Sequence, residues 1–462
     1  MKDKIKIASG QGFWGDLSNA PYDQVTKGDI NYLIMDYLAE VTMSILQIQY
    51  HKNPEYGYAK DVVGMLKDIL PICKQKGIKV ITNAGGVNPV SCAKAIMKTA
   101  DELQIKNLKI GVVQGDNISK KIDWIISQGC NLNNMETGNS IEVIKDKITS
   151  ANAYLGAFPL ADALRSGADI VVSGRTSDVA LAIAPMIYEF DWKATDYNLL
   201  AAGTVAGHIL ECGAQASGGN FLGNWQSVNN LAEIGFPIAE VNPDGETIIF
   251  KHPDTGGKIS FETVAEQLIY EIGNPKEYIT PDCVADFTSI KLDDLGSDRV
   301  KVSSVKGNKA TDFYKVSCSY SYGYAASGTL TYTWPQALTK AKAAGEILRK
   351  RLENLNLQPA YRTNRFDEIR TEYLGYNACH ESLAKAINED DINEIVLKVS
   401  VRAKDRETVE RFGKEMAPLV LSGPPSVTGY VGSRPKPREV FAYWPALIPK
   451  NLITSTVQMF EV

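Results

Sequence analysis

Histidine is scarce in this sequence, four in 462 residues, so each imidazole can be weighed singly. The seven cysteines (Cys73, Cys92, Cys130, Cys212, Cys283, Cys318 and Cys379) are scattered, odd in number and nowhere spaced as C-x-x-C. That speaks against a disulfide framework and against a zinc ribbon. No apolar run approaches the roughly 20 residues that a membrane helix needs. The start, M-K-D-K-I-K-I-A-S, runs straight into a strand pattern and lacks the apolar segment of a signal peptide. A cytoplasmic location and no membrane partner are therefore expected. Positive charge is also in short supply, with a net charge of −5, and the one basic stretch, residues 432–438, is broken by two prolines. No nucleic-acid partner is expected, because such binding uses a general cationic field.

Apolar material is plentiful, 44% of residues, over a length that favours two domains. In the first half, strand and helix signals alternate. Residues 5–9, 32–38, 79–82, 108–113 and 168–173 read as buried strands, with a further short strand at 152–155. Helical spacing over 61–76, 91–103 and 159–166 supplies crossovers, and buried strands joined by crossover helices make a parallel sheet. The second half changes character, with strands at 247–250 and 299–303. Residues 315–334 form a long run of Ser, Tyr and Thr in which G-Y-A-A-S-G suggests a hairpin turn. A helix over 335–352, a strand over 394–402 and a helix over 405–416 follow. The expected fold class is α/β: a Rossmann-like parallel-sheet domain over 1–235, then an α+β domain over 236–462, ferredoxin-like in the arrangement it suggests.

In open parallel sheets, ligands bind outside the carboxyl ends of the strands. After the first expected strand come Gly10 and Gly12; after the second, Asp36 and Glu40; after the third, Asn83. Asp116 follows the fourth, and Arg175 and Asp178 follow the strand at 168–173. Glycine lets backbone N–H groups approach a ligand, so these ends together suggest a polar cleft for a small molecule. The guanidinium of Arg175 suits a bidentate grip on a carboxylate or phosphate. The plain alternative is an ion pair with Asp178 or Asp169.

A second constellation is A-G-H-I-L-E-C-G-A-Q-A-S-G-G-N, residues 206–220. His208 and Glu211 share a helix face and have the makings of an acid–base pair, with Asp178 a third catalytic candidate. The plain alternative for His208 is a buried, hydrogen-bonded imidazole. No third ligand is visible beside the pair, so no metal is expected. Gln215, Ser217, Gly218, Gly219 and Asn220 suggest a backbone nest for an anion or oxyanion. Cys212 reads as packed rather than nucleophilic. His252, in a turn, is a further candidate for the cleft, while His51 and His380 read as surface or packing residues.

Residues 10–15, G-Q-G-F-W-G, carry the spacing of a dinucleotide-binding loop, and Asp36 stands where a ribose-binding acid belongs. Such a loop must open a helix facing the pyrophosphate. Pro21 and Gly28 leave room for about two helical turns, and Phe13 and Trp14 are bulky for a loop that should touch a diphosphate. NAD is therefore not expected. A Gly-rich loop with an aromatic wall, lining a different organic ligand, is.

Several stretches resemble the acyclic terpene utilisation family of bacterial proteins: G-Q-G-F-W-G-D, D-Y-L-A-E-V-T, N-A-G-G-V-N-P, A-N-A-Y-L-G-A-F-P-L, G-A-D-I-V-V-S-G-R-T-S-D, G-H-I-L-E-C-G-A-Q-A-S-G-G-N-F, Y-E-I-G-N-P and P-D-C-V-A-D-F-T-S-I. The likeness extends to S-G-P-P-S-V-T-G-Y and so covers most of the chain. It implies catabolism of small acids or acyl-CoAs without fixing the reaction. The expected function is a cofactor-independent hydratase, lyase or isomerase, with His208 and Glu211 as acid and base, residues 213–220 as the oxyanion site and Arg175 holding a carboxylate or phosphate. A coenzyme A thioester is an allowed substrate, and a homo-oligomer is expected. The alternatives are a non-catalytic ligand-binding or accessory subunit of an acyl-CoA-processing assembly, and an NAD-binding oxidoreductase.

Overall fold

Short apolar runs form the centre of a ten-stranded sheet in the computed structural model, which describes residues 2–357, 365–429 and 434–462. The first strands in chain order are β1 (Ile5–Gln11), β2 (Tyr32–Met35), β3 (Lys79–Thr82), β4 (Lys109–Gln114), β5 (Ile148–Ala153) and β6 (Ile170–Ser173). β1, β2, β3, β6 and β4 lie side by side in that order, all parallel. β5 stands apart and pairs with the long strand Phe313–Thr333.

Successive side chains of a strand point to opposite faces, and here both faces are covered. Ile5, Ile7, Tyr32 and Ile34 enter one core; Ala8, Leu33 and Met35 enter the other. Strands buried on both sides read as continuous apolar runs, as these do. The second core takes residues from α1 (Ala20–Thr26), α2 (Glu40–Lys52), α3 (Asp61–Lys76) and α4 (Pro89–Glu102). After the short α5 (Ile122–Ser127), helices α6 (Phe158–Arg165), α7 (Ala180–Phe190) and α8 (Tyr197–Glu211) fill the first core. Local chemistry sets the helix ends. The Asn88 side chain accepts from Ser91 N at the start of α4, and Pro89 follows it. Gly77, at φ 68°, ends α3 in the left-handed region that glycine tolerates.

The five sheet strands from the first 235 residues are parallel, as expected, while the sheet as a whole is mixed. β7 (Ile238–Val241) pairs antiparallel with β1, and β8 (Thr247–Phe250) pairs antiparallel with β7. The N-P-D-G-E link between them is too short for a crossover, so antiparallel pairing is the geometry it permits. Arg299–Ser303 and Lys291–Asp294 extend this side of the sheet, and Thr456–Glu461 lies antiparallel to β4 on the other. Strands expected in a separate second domain thus join the first sheet.

The chain divides into two compact units, Met1–Ser319 with Tyr443–Val462, and Tyr320–Ala442. The expected boundary at 235/236 lies just before β7, inside the first range. In the second unit, Phe366–Leu374 and Tyr324–Thr333 flank Glu394–Ala403, antiparallel on both sides. Residues 395, 397, 399, 401 and 403 share one core with helices Ala337–Leu357 and Arg406–Met416, so both helices pack on the same face. The hairpin expected at G-Y-A-A-S-G is absent: the strand Phe313–Thr333 runs straight through it. Gly323, at φ 97°, takes the local irregularity without reversing the chain. The helix expected from Pro335 begins at Ala337. Residues 432 and 433 of the basic stretch lie outside the described residues. Among the described residues no helix is long and apolar enough to cross a membrane.

Candidate functional site

Parallel neighbours end side by side, so residues far apart in sequence meet beyond their carboxyl ends. Asp36, after β2, accepts from Asn83 Nδ2, after β3, at 2.7 Å and from Leu38 N at 3.1 Å. Both bonds fall on Oδ1. Asn83 in turn accepts from Tyr37 N through its own Oδ1 at 2.8 Å. Burial pushes the Asp36 carboxyl up to about 8, and the negative charge of Asp178 adds to the rise; Arg175, Asn83 and Leu38 oppose it.

Arg175, after β6, is the hub. Its backbone N–H donates to Asp116 Oδ2 at 2.9 Å, its guanidinium donates to Leu38 O, and Nη1 pairs with Asp178 Oδ1 at 2.9 Å. The guanidinium lies 4.2 Å over the Tyr154 ring. Only 2% of the residue is exposed, and Nε has no partner. Burial opposes its charge, but Asp178, Tyr154, Asp36 and Glu40 outweigh burial and hold the proton on. The ion pair weighed from sequence is thus present with Asp178, while Asp169 pairs with Lys74 and Lys79. Asp116 also accepts from Asn152 Nδ2 at 2.7 Å, and burial pushes its carboxyl up to about 6. Gly174 makes room for it: a Cβ there would stand 2.5 Å from Asp116 Oδ2.

Glu40, at the start of α2, accepts from the Tyr154 hydroxyl at 2.6 Å and lies 3.6 Å from Lys315 Nζ. Burial pushes Glu40 up, but Tyr154, Arg175 and Lys315 outweigh it and hold the carboxyl below its ordinary value. Burial raises the Tyr154 hydroxyl, which keeps its proton for Glu40. Asp36, Glu40, Asn83, Asp116, Arg175 and Asp178 therefore meet in one network, buried except at the half-exposed Glu40 and Asp178, as the strand ends suggested. Asn152, Tyr154 and Lys315 join them without having been singled out. The first two come from β5 and its end, outside the parallel array, where the strand-end rule does not reach. Lys315 comes from the long strand, and nothing in its local sequence announces it.

The other expected site residues lie elsewhere. His208 Nδ1 and Glu211 Oε1 are 2.7 Å apart on α8. The imidazole is 1% exposed, between the rings of Tyr278 and Phe287 at 5.4 and 5.5 Å, and its Nε2 has no partner. Burial alone would depress the imidazole; Glu211 outweighs it and raises the pKa. Asp178 pushes Glu211 upward through its charge, an electrostatic link between this pair and the Arg175 cluster. Residues 213–217 form a 3-10 turn in which the Gly218 and Gly219 N–H groups donate to Gln215 O and Ala214 O. Ser217 is buried with its hydroxyl unpartnered, and Asn220 takes a left-handed φ of 57°. His252 is buried at 3.2 Å from Gln24 O. Burial pushes the Cys212 thiol up to about 12, away from nucleophilic use. Among the described residues no group of three or more His, Cys, Asp or Glu side chains is placed to hold a metal ion.

The glycines of G-Q-G-F-W-G meet protein. A Cβ on Gly10 would stand 2.9 Å from Leu33 Cδ1, and one on Gly12 would stand 2.8 Å from the backbone carbon of Cys212, just past α8. The Gly12 N–H donates to Asp16 Oδ2 at 2.9 Å. The helix that follows, α1, has seven residues. Close approach of two backbones explains the glycine at position 12. Gly12→Ala is accordingly expected to lower the unfolding free energy by about 1–3 kcal/mol, the usual range for overpacking. Urea denaturation without added nucleotide measures this, and unchanged stability would contradict it.

A family model described as acyclic terpene utilisation family protein AtuA matches residues 5–459. No curated protein matches the chain, and no solved structure does.

Proposed function

The chain belongs to the acyclic terpene utilisation family, and on that footing we propose that it is an acid–base enzyme for a small organic acid, free or as a coenzyme A thioester. The reaction class is proton abstraction beside a carbonyl, with addition–elimination or isomerisation as its outcome. The observation that carries this reading is the pairing of two unlike carboxyls around one buried guanidinium. Asp36 has its pKa pushed to about 8, so it holds a proton at neutral pH. Asp178 is ion-paired with Arg175. A carboxyl that keeps its proton beside an ion-paired carboxylate supplies an acid and a base in one place.

In this reading Asp178 takes the proton from the carbon next to the carbonyl. The C–H electron pair moves into the carbonyl, and the charge that develops on oxygen is met by the proton of Asp36 and the field of Arg175. We place these transfers on Asp36 and Asp178 rather than on His208 and Glu211, because the imidazole is enclosed by Tyr278 and Phe287. A cytoplasmic homo-oligomer without nucleic-acid or membrane partners is the setting we propose, in keeping with the acidic net charge.

Proton exchange is common to all three outcomes, so it tests them together. The purified chain is incubated in D2O with saturated, hydroxylated and α,β-unsaturated short acids and their coenzyme A thioesters. Proton NMR then follows loss of signal beside the carbonyl. Enzyme-dependent exchange in at least one compound is expected. No exchange in any would leave a binding role and end the acid–base reading.

A further inference from the structure

A cavity of about 290 Å³ opens beside the Arg175 cluster, lined in part by Tyr154 and Ser177. The Tyr154 ring stacks on the guanidinium, so the two features share a wall. Phe313, Ile279, Leu447 and Met135 line it as well, and all four are exposed large hydrophobics. Single apolar side chains on a surface are ordinary, but several gathered around one opening mark a place where something binds. Among the described lining residues Lys315 alone is charged. Its ammonium stands 5.0 Å from the centre of the Tyr154 ring and 5.6 Å from that of Tyr443. An ammonium carries three donors, and Glu40, 3.6 Å away, and the Tyr443 hydroxyl lie in two directions, which leaves a third for a ligand.

We propose that this cavity takes the aliphatic tail of a free organic monoanion, with its carboxylate held by Lys315 beside the Arg175 cluster. The acid–base reading supplies only the chemistry after binding; the pocket stands on its own geometry. The apolar lining suits a carbon chain, and a thioester carbonyl offers Lys315 no charge to pair with. Lys315 is thus the residue that selects the free acid over its thioester.

Isothermal titration of the full chain with sodium octanoate, 1-octanol and octanoyl-CoA tests this. Octanoate is expected to bind more tightly than octanoyl-CoA, and hexanoate about fourfold more weakly for each methylene lost. Lys315→Met lowers octanoate affinity about tenfold or more, the scale of a charge-assisted hydrogen bond, and leaves octanol unchanged. Octanol binding also reports that the variant is folded. Lys315→Arg restores octanoate, and Phe313→Ser weakens both ligands. Absence of octanoate binding, equal affinity in Lys315→Met, or tighter binding of octanoyl-CoA overturns the proposal. Octanoate binding with no isotope exchange in any acid removes the acid–base reading and leaves the pocket. Exchange in short polar acids without octanoate binding does the reverse.

Discussion

Arg175→Met is expected to destabilise the protein by about 1–3 kcal/mol, the range for leaving a buried acceptor without its donor. The guanidinium is 2% exposed and ion-paired with Asp178, with Asp36 and Glu40 in its field. Methionine fills similar space and leaves the acid groups without their cation. The Leu38 carbonyl also loses its donor. Lysine is a poor substitute, because a compact ammonium cannot reach Leu38 O and Asp178 from one plane while stacking on Tyr154. Denaturant titration reads the effect as a lower midpoint at unchanged slope. A loss under about 1 kcal/mol would mean that the acid groups do not depend on Arg175.

Asp36→Asn is expected to cut turnover by about 10²–10⁴-fold, the usual contribution of a positioned acid or base. Asparagine keeps the shape and can still accept from Asn83, but it carries no proton to give. In the unsubstituted protein turnover should fall as pH rises through about 8, where Asp36 ionises. Its stability should also depend on pH. The carboxyl's pKa rises from 3.8 to about 8 on burial, so the folded state holds a proton that the unfolded state releases. That contribution is fully present below about pH 4 and is lost progressively as pH climbs toward 8. Asp36→Asn removes this fall. Denaturation curves across that window should therefore flatten in the variant, and equal slopes in the two proteins would place the raised pKa elsewhere.

The site was legible where parallel strands supply it. Asp36, Asn83, Asp116 and Arg175 each follow a strand, and in a parallel array such positions are neighbours whatever separates them in sequence. Lys315 escaped notice because its strand approaches from outside that array. The antiparallel additions escaped for a related reason: the alternation in 247–250 or 299–303 marks a strand but not the sheet it joins. The glycines at 10–15 are ambiguous on physical grounds. A diphosphate and the backbone at Cys212 make the same demand, a missing Cβ, and spacing alone does not tell them apart. His208 and Glu211 were correctly paired, yet the Tyr278 and Phe287 rings that enclose them come from a distant stretch.

The pairing of Thr456–Glu461 with β4 bears on synthesis. Thr456–Glu461 completes one side of the sheet that carries Asp116 and Arg175, whereas Tyr320–Ala442 is made earlier and has a core of its own. Until residues 456–461 arrive, β4 offers an open edge to any passing strand. Clipping before residue 456 therefore acts on the unit that holds the Arg175 cluster, and nascent chains stalled short of residue 456 should be the aggregation-prone species.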